Sequence, residues 1–108
     1  KYRPMILEKL EAAGMPAELS WLPLIESGFK VKALSSARAL GLWQFISSTG
    51  YKFGLKRNTY IDERLDPFKS THAAIALENT QQYEQLLNRR KQLTEQAAAE
   101  ADLLEGRD

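Results

Sequence analysis

From its first residues the chain spaces its apolar positions as helices do. Met5, Ile6, Leu10 and Ala13 fall on one helical face, Pro4 suits a first turn, and Gly14 suits the position just past the end. A second helix is expected from Pro16, with Glu18 in the first turn where the helix dipole favours an anion. It would bury Leu19, Leu22 and Ile25 and stop at Gly28. Pro23 cannot donate to the Leu19 carbonyl, so a kink is expected just before Glu26. From Val31 to Gly54 the pattern moves in shorter steps. Ser35 or Ser36 could cap a helix running through Leu40, Leu42, Trp43 and Phe45. A brief helix follows from Ser47 or Ser48 to about Phe53, with Gly54 as its stop. Lys56 to Asp66 is polar and loop-like, and Asp66-Pro67 is a helix-entry signal. Phe68 to about Lys91 then reads as one long helix. No run alternates apolar and polar residues, so the expected class is all-α.

Length and composition narrow this further. A chain of 108 residues holds one domain, and its 44% hydrophobic content is enough for a core without staples. A formal net charge of +1 argues against a protein that works by gripping phosphate backbones, so no nucleic-acid partner is expected. Zero cysteines exclude disulfides, thiolate metal sites and a cysteine nucleophile. The apolar run Leu19 to Ile25 is interrupted by Ser20 and Pro23 and falls far below the roughly 20 residues of a membrane span. No signal peptide opens the chain, and Lys1-Tyr2-Arg3-Pro4 reads as a start inside something longer.

Composition shifts near Glu78. Residues 1–68 carry 10 Lys+Arg against 7 Asp+Glu, and residues 69–108 carry 5 against 7. The first part holds both Trp, all four Phe and three of the four Tyr. The second is rich in Gln, Glu, Ala and Leu, and Leu86, Leu87, Leu93, Leu103 and Leu104 give it only a thin apolar stripe.

Two places carry candidate chemistry. Glu26 follows Trp21-Leu22-Pro23-Leu24-Ile25 and precedes Ser27-Gly28-Phe29. Turned inward, its carboxyl would be desolvated by neighbours that cannot solvate an anion, which holds the proton as a general acid requires. Turned outward, it is an ordinary carboxylate at a helix end. The second place is Gly41-Leu42-Trp43-Gln44-Phe45. A glycine inside a helical pattern costs about 1 kcal/mol, so Gly41 points to a close approach of backbone. The Gln44 amide could orient a polar ligand, and the aromatics could either form a sugar-stacking wall or belong to the core. His72 reads as a surface or helix-packing residue. No metal-ligand spacing, phosphate loop or nucleophile elbow is present, and no cofactor is called for.

These residues resemble one family. Leu22-Pro23-Leu24-Ile25-Glu26-Ser27-Gly28-Phe29, then Ser35-Ser36-Ala37, Gly41-Leu42-Trp43-Gln44-Phe45, Ser48-Thr49-Gly50, and Asp62-Glu63-Arg64 through Asp66-Pro67 resemble the soluble lytic transglycosylase (SLT) domain over about residues 2–77. The resemblance implies a lysozyme-like helical fold. It implies cleavage of the β-1,4 bond between N-acetylmuramic acid (MurNAc) and N-acetylglucosamine (GlcNAc) in peptidoglycan glycan strands. Glu26 matches the catalytic acid, and Ser27, Ser36, Trp43 and Gln44 fall at substrate-binding positions. A glycosidase ordinarily needs two carboxyls. Asp62, Glu63 and Asp66 lie in a polar loop with Arg64, where salt-bridging or capping is the expected role. In the family one carboxyl suffices, because the muramoyl C6 hydroxyl is the nucleophile and a 1,6-anhydro sugar is the product.

The sequence departs from the family's pattern at Arg38 and Leu40, where small residues are usual, and at Ser47, where Pro commonly opens the short helix. Beyond Leu77 the family continues to an Ala-Tyr-Asn-Ala-Gly segment that residues 78–108 do not supply; Tyr83 stands in another context. The chain is therefore expected to divide into a partial SLT domain, residues 1–77, and a helical tail, residues 78–108, that could pair with a second copy as a homodimer. Activity would be reduced by the missing Tyr and Asn, and a catalytically inactive scaffold, binding glycan or assembling with itself, is the alternative. The substrate implies a bacterial cell-envelope protein on the periplasmic side, exported or membrane-anchored.

Overall fold

The computed structural model describes residues 1–106 and is all-α, with no strand among them. The helices are α1 (Arg3–Ala12), α2 (Leu22–Ser27), α3 (Ser47–Lys52) and α4 (Pro67–Glu105), with short 3-10 turns at Ala17–Trp21 and Glu63–Leu65. The chain forms two compact units, Lys1–Leu77 and a second from Glu78 on.

In the first unit, α1 starts with Pro4 in its first turn and buries Ile6 and Leu10. It ends where Gly14 was expected to end it. With φ at +69°, Gly14 lets its own N–H reach the Glu11 carbonyl and the Met15 N–H reach Leu10 at 2.9 Å. The single kinked helix expected from Pro16 is instead a 3-10 turn followed by α2, so the break lies before Pro23 rather than after it. Proline takes a first-turn position in α2, where its missing N–H costs nothing. Gly28, left-handed at φ +63°, closes α2 as expected.

The helix expected from Ser35 or Ser36 to Phe45 does not form. Arg38 (φ +70°), Gly41 (φ +93°) and Gln44 (φ +52°) all lie in the left-handed region, which a right-handed helix cannot contain. Two tight turns replace it. Across one, the Ser35 N–H donates to the Ala39 carbonyl while Ser35 Oγ accepts from the Ala39 N–H; across the other, Leu40 and Phe45 exchange both backbone bonds. Gly41 does mark a close approach: a Cβ there would run into the Arg64 carbonyl, whose carbon would be 3.0 Å away. α3 begins at Ser47 and closes at Gly54 as expected. Asp66 caps α4, its Oδ1 accepting from the Phe68 and Lys69 N–H groups at 2.9 and 3.0 Å. α4 itself runs to Glu105, well past Lys91, because no Pro and no Gly before Gly106 interrupts it.

Two apolar clusters hold the first unit. Ile6, Leu10, Met15 and Leu42 form one, and Phe45, Leu55 and Ala73 the other. Trp43 packs against both. Each large side chain so buried contributes roughly 1.5–3 kcal/mol. In the second unit, the α4 residues from Gln81 onward are exposed throughout, including Leu86, Leu87, Leu93, Leu103 and Leu104.

Candidate active site

The expected site residues sit on α2 and on the paired turns of residues 34–45. Glu26 lies in the last turn of α2, and its side chain is exposed. The desolvated carboxyl expected from the sequence is therefore corrected: Glu26 takes the outward orientation. The physical reason is the shortness of α2. Its six residues spend their inward face on Pro23, which is buried, and on Ser27, so Leu24 and Ile25 turn to solvent with Glu26. Ile25, expected in the core, is 79% exposed, and Leu24 and Trp21 are about half exposed. Glu26 is thus framed by an open apolar face rather than enclosed by one. Trp21 is held there by the Arg3 guanidinium 3.8 Å from its ring centre and by edge contact with Phe29.

Ser27 fastens this face to the second motif. Its Oγ lies 2.7 Å from the Leu42 carbonyl and 3.0 Å from the Pro23 carbonyl. The residue after the candidate acid is thereby bonded to the residue two before Gln44. Gln44 is half-buried, and its Nε2 donates to the carbonyls of Ala33 and Gly41, both at 2.9 Å. Both amide hydrogens are spent on the loop, so Gln44 can offer a ligand only its carbonyl oxygen. Trp43 is turned into the first unit, where its Nε1 donates to Thr71 Oγ1 at 2.8 Å and Thr71 in turn donates to the Pro67 carbonyl. Of the two roles open to it, the core role is the one observed. Ser36 is exposed in the turn that Ser35 organises. The structure therefore brings Ser27 to the Gln44 loop, keeps Trp43 inside and leaves Ser36 apart.

Arg64, which the sequence places only as a salt-bridging residue of the polar loop, ties these turns together. It is only 5% exposed, with Nη1 donating to the carbonyls of Arg38 (3.1 Å) and Phe45 (2.9 Å). Its Nε and Nη2 face Asp62, the shortest contact being 2.7 Å. Gly41 and Gly50 both lie against Arg64: a Cβ on Gly41 would run into its carbonyl, and one on Gly50 would stand 3.4 Å from its side chain. The Arg64 hydrogen bond, above all, holds the Asp62 carboxyl below its ordinary range.

The other loop carboxylates have structural partners too. Glu63 accepts from the Lys56 N–H and pairs with Lys69, and the Lys69 bond is the main reason its acidity is raised. Asp66 is the α4 cap. A trough of about 540 Å³ runs beside this loop between Leu34, Leu40, Ile46, Arg57 and Tyr60, with Arg64 at its base; Glu26 is not among its lining residues.

Comparison with known proteins agrees with the motifs. The family model for the Transglycosylase SLT domain matches residues 4–99, reaching beyond the expected limit at Leu77 along most of α4. Membrane-bound lytic murein transglycosylase D of Escherichia coli, in strains K12 and O6:H1, is 43% identical over 74 residues, which is 68% of this chain and 16% of the relative. A protein of Alteromonas sp. (strain M-1) named for tributyltin chloride resistance is 36% identical over 74 residues, 68% of this chain and 36% of that protein. The chain thus spans a small part of these relatives' length. With the two motifs joined through Ser27 and a family match over most of its residues, the chain belongs to the transglycosylase SLT domain family.

Proposed function

We propose that this chain is the acid-bearing part of a peptidoglycan lytic transglycosylase that cleaves the MurNAc–GlcNAc β-1,4 bond. The observation that carries this reading is the division of labour among carboxylates. Asp62, Glu63 and Asp66 are engaged by Arg64, Lys69 and the start of α4, whereas the Glu26 side chain has no ion pair or hydrogen bond among the described residues. Among the carboxylates of the matched motifs and their loop, Glu26 is the one left uncommitted, and a single carboxyl suits a reaction whose nucleophile belongs to the substrate. Glu26 protonates the glycosidic oxygen as the bond to muramoyl C1 breaks. The resulting carboxylate then takes the proton of the C6 hydroxyl as that oxygen closes on C1. The product is a 1,6-anhydromuramoyl end, and no water is consumed.

An acid in open water is poorly placed for this work. A sugar chain lying on Trp21, Leu24 and Ile25 would exclude water from Glu26 and strengthen its interaction with the leaving oxygen. Gln44 would take a sugar hydroxyl or amide hydrogen through its remaining oxygen, with Ser27 positioning the two segments and Trp43 supporting the Gln44 loop from the core. Activity of this chain alone is accordingly expected to be low. The relatives' name places their protein at a membrane, which supports a cell-envelope location on the periplasmic side for the parent of this chain; among the described residues no helix is long and apolar enough to cross a membrane.

Incubation of purified peptidoglycan with the chain and with Glu26→Gln tests the reading by mass spectrometry of the released fragments. Anhydro-ended muropeptides from the parent alone support it. Reducing ends would mean hydrolysis, and no release from either chain favours an inactive scaffold. The exposure of Glu26 and the committed amide of Gln44 are what favour that second reading. On it the exposed leucines of α4 would join two copies as a homodimer, and sedimentation should give twice the chain mass, reverting to one in Leu86→Glu/Leu93→Glu.

A further inference from the structure

We infer that the first unit carries a second binding site, for an acidic peptide, in the depression between α1, the α3–loop junction and the start of α4. This pocket of about 520 Å³ is lined by Lys9, Lys56, Lys69 and His72 together with Phe53 and Phe68. Its one carboxylate, Glu63, is already taken by the Lys69 ammonium and the Lys56 N–H. The Lys9 ammonium has no ion pair among the described residues and that of Lys56 acts on Glu63 only from a distance, so three lysines face one carboxylate and the pocket keeps an excess of positive charge. Lys52, outside the lining, lies over the ring of the lining residue Phe53 at 5.8 Å. Lys9, on the last turn of α1, is half-buried and lines the pocket, so its stem is confined there.

Three features define the occupant. The charge calls for an anion. The lining offers lysines and a histidine but no arginine, and so lacks the planar fork that grips a phosphate with two parallel bonds. Phe68 is 54% exposed at the wall and Phe53 half-buried, which suits apolar groups carried between the charges. Carboxylates spaced along a short chain with small or aromatic side chains between them meet all three conditions. The inference is independent of any glycan chemistry, since neither Glu26 nor Gln44 lines the pocket.

The test is calorimetric titration of the intact chain with an acetylated, amidated peptide of sequence Ala-Glu-Phe-Glu-Ala, in low salt. Saturable binding is expected, weakening by about tenfold or more in Lys9→Gln/Lys56→Gln and falling with added salt. It should be unchanged in Lys30→Gln/Lys32→Gln, which alters exposed lysines elsewhere, and unchanged in Glu26→Gln. That last variant separates this site from the lytic reading, because it disables one and spares the other. Circular dichroism confirms that each variant folds. Equal binding of the Gln-for-Glu peptide, equal loss in the control pair, displacement by inorganic phosphate at matched concentration, or no saturation at all would each overturn the assignment.

Discussion

At the scale of single residues, two glycines with the same backbone angle separate two physical effects. Gly41 and Gly54 both have φ +93°, but a Cβ on Gly54 meets nothing within 4 Å, whereas one on Gly41 meets the Arg64 backbone. Gly54→Ala should therefore cost only backbone strain, about 1 kcal/mol, and Gly41→Ala about 3 kcal/mol or more. Thermal melts of the two variants measure the difference, at roughly 4–8 °C per kcal/mol for a unit of this size. Ser20 makes the opposite case. It is fully buried, and its Oγ has no hydrogen-bond partner. A buried hydroxyl that has given up water without replacement is a cost, so Ser20→Ala should leave the melting temperature unchanged or raise it.

At the scale of elements, the loop of residues 34–45 depends on the Arg64–Asp62 pair. Arg64→Lys keeps one charge but cannot reach Asp62, Arg38 and Phe45 together, and a loss of about 2–4 kcal/mol is expected in denaturant titration. The same pair sets acid sensitivity. Asp62 has a folded-state acidity stronger than its ordinary 3.8, chiefly because Arg64 donates to it. The stability it supplies is complete above that ordinary value and is lost as pH falls through the lower folded value. Asp62→Asn should be less stable at neutral pH, and the gap to the parent should close in strong acid. These turns also mark where the sequence stopped being readable. Helix ends written by proline and glycine were legible at Pro4, Gly14, Gly28, Gly54 and Asp66-Pro67, because capping is a local matter. The 34–45 segment was not, since Leu40, Leu42, Trp43 and Phe45 have helical spacing while the contacts that forbid a helix come from Arg64, nineteen residues beyond Phe45. The orientation of Glu26 was hidden for a related reason: apolar neighbours in sequence cover a carboxyl only if the fold turns them over it.

At the scale of the whole molecule, both clusters of the first unit meet at one side chain. Trp43 touches the Ile6–Leu42 group and the Phe45–Ala73 group, and its indole nitrogen is bonded to Thr71. Neither group can come apart without exposing it, so the two are expected to unfold in a single transition. The second tryptophan, Trp21, is already about half in water beside Arg3. The protein consequently carries an optical reporter of its own integrity. In Trp21→Phe all tryptophan emission comes from Trp43, and it should shift to longer wavelength in one sigmoidal step that coincides with the loss of aromatic circular dichroism.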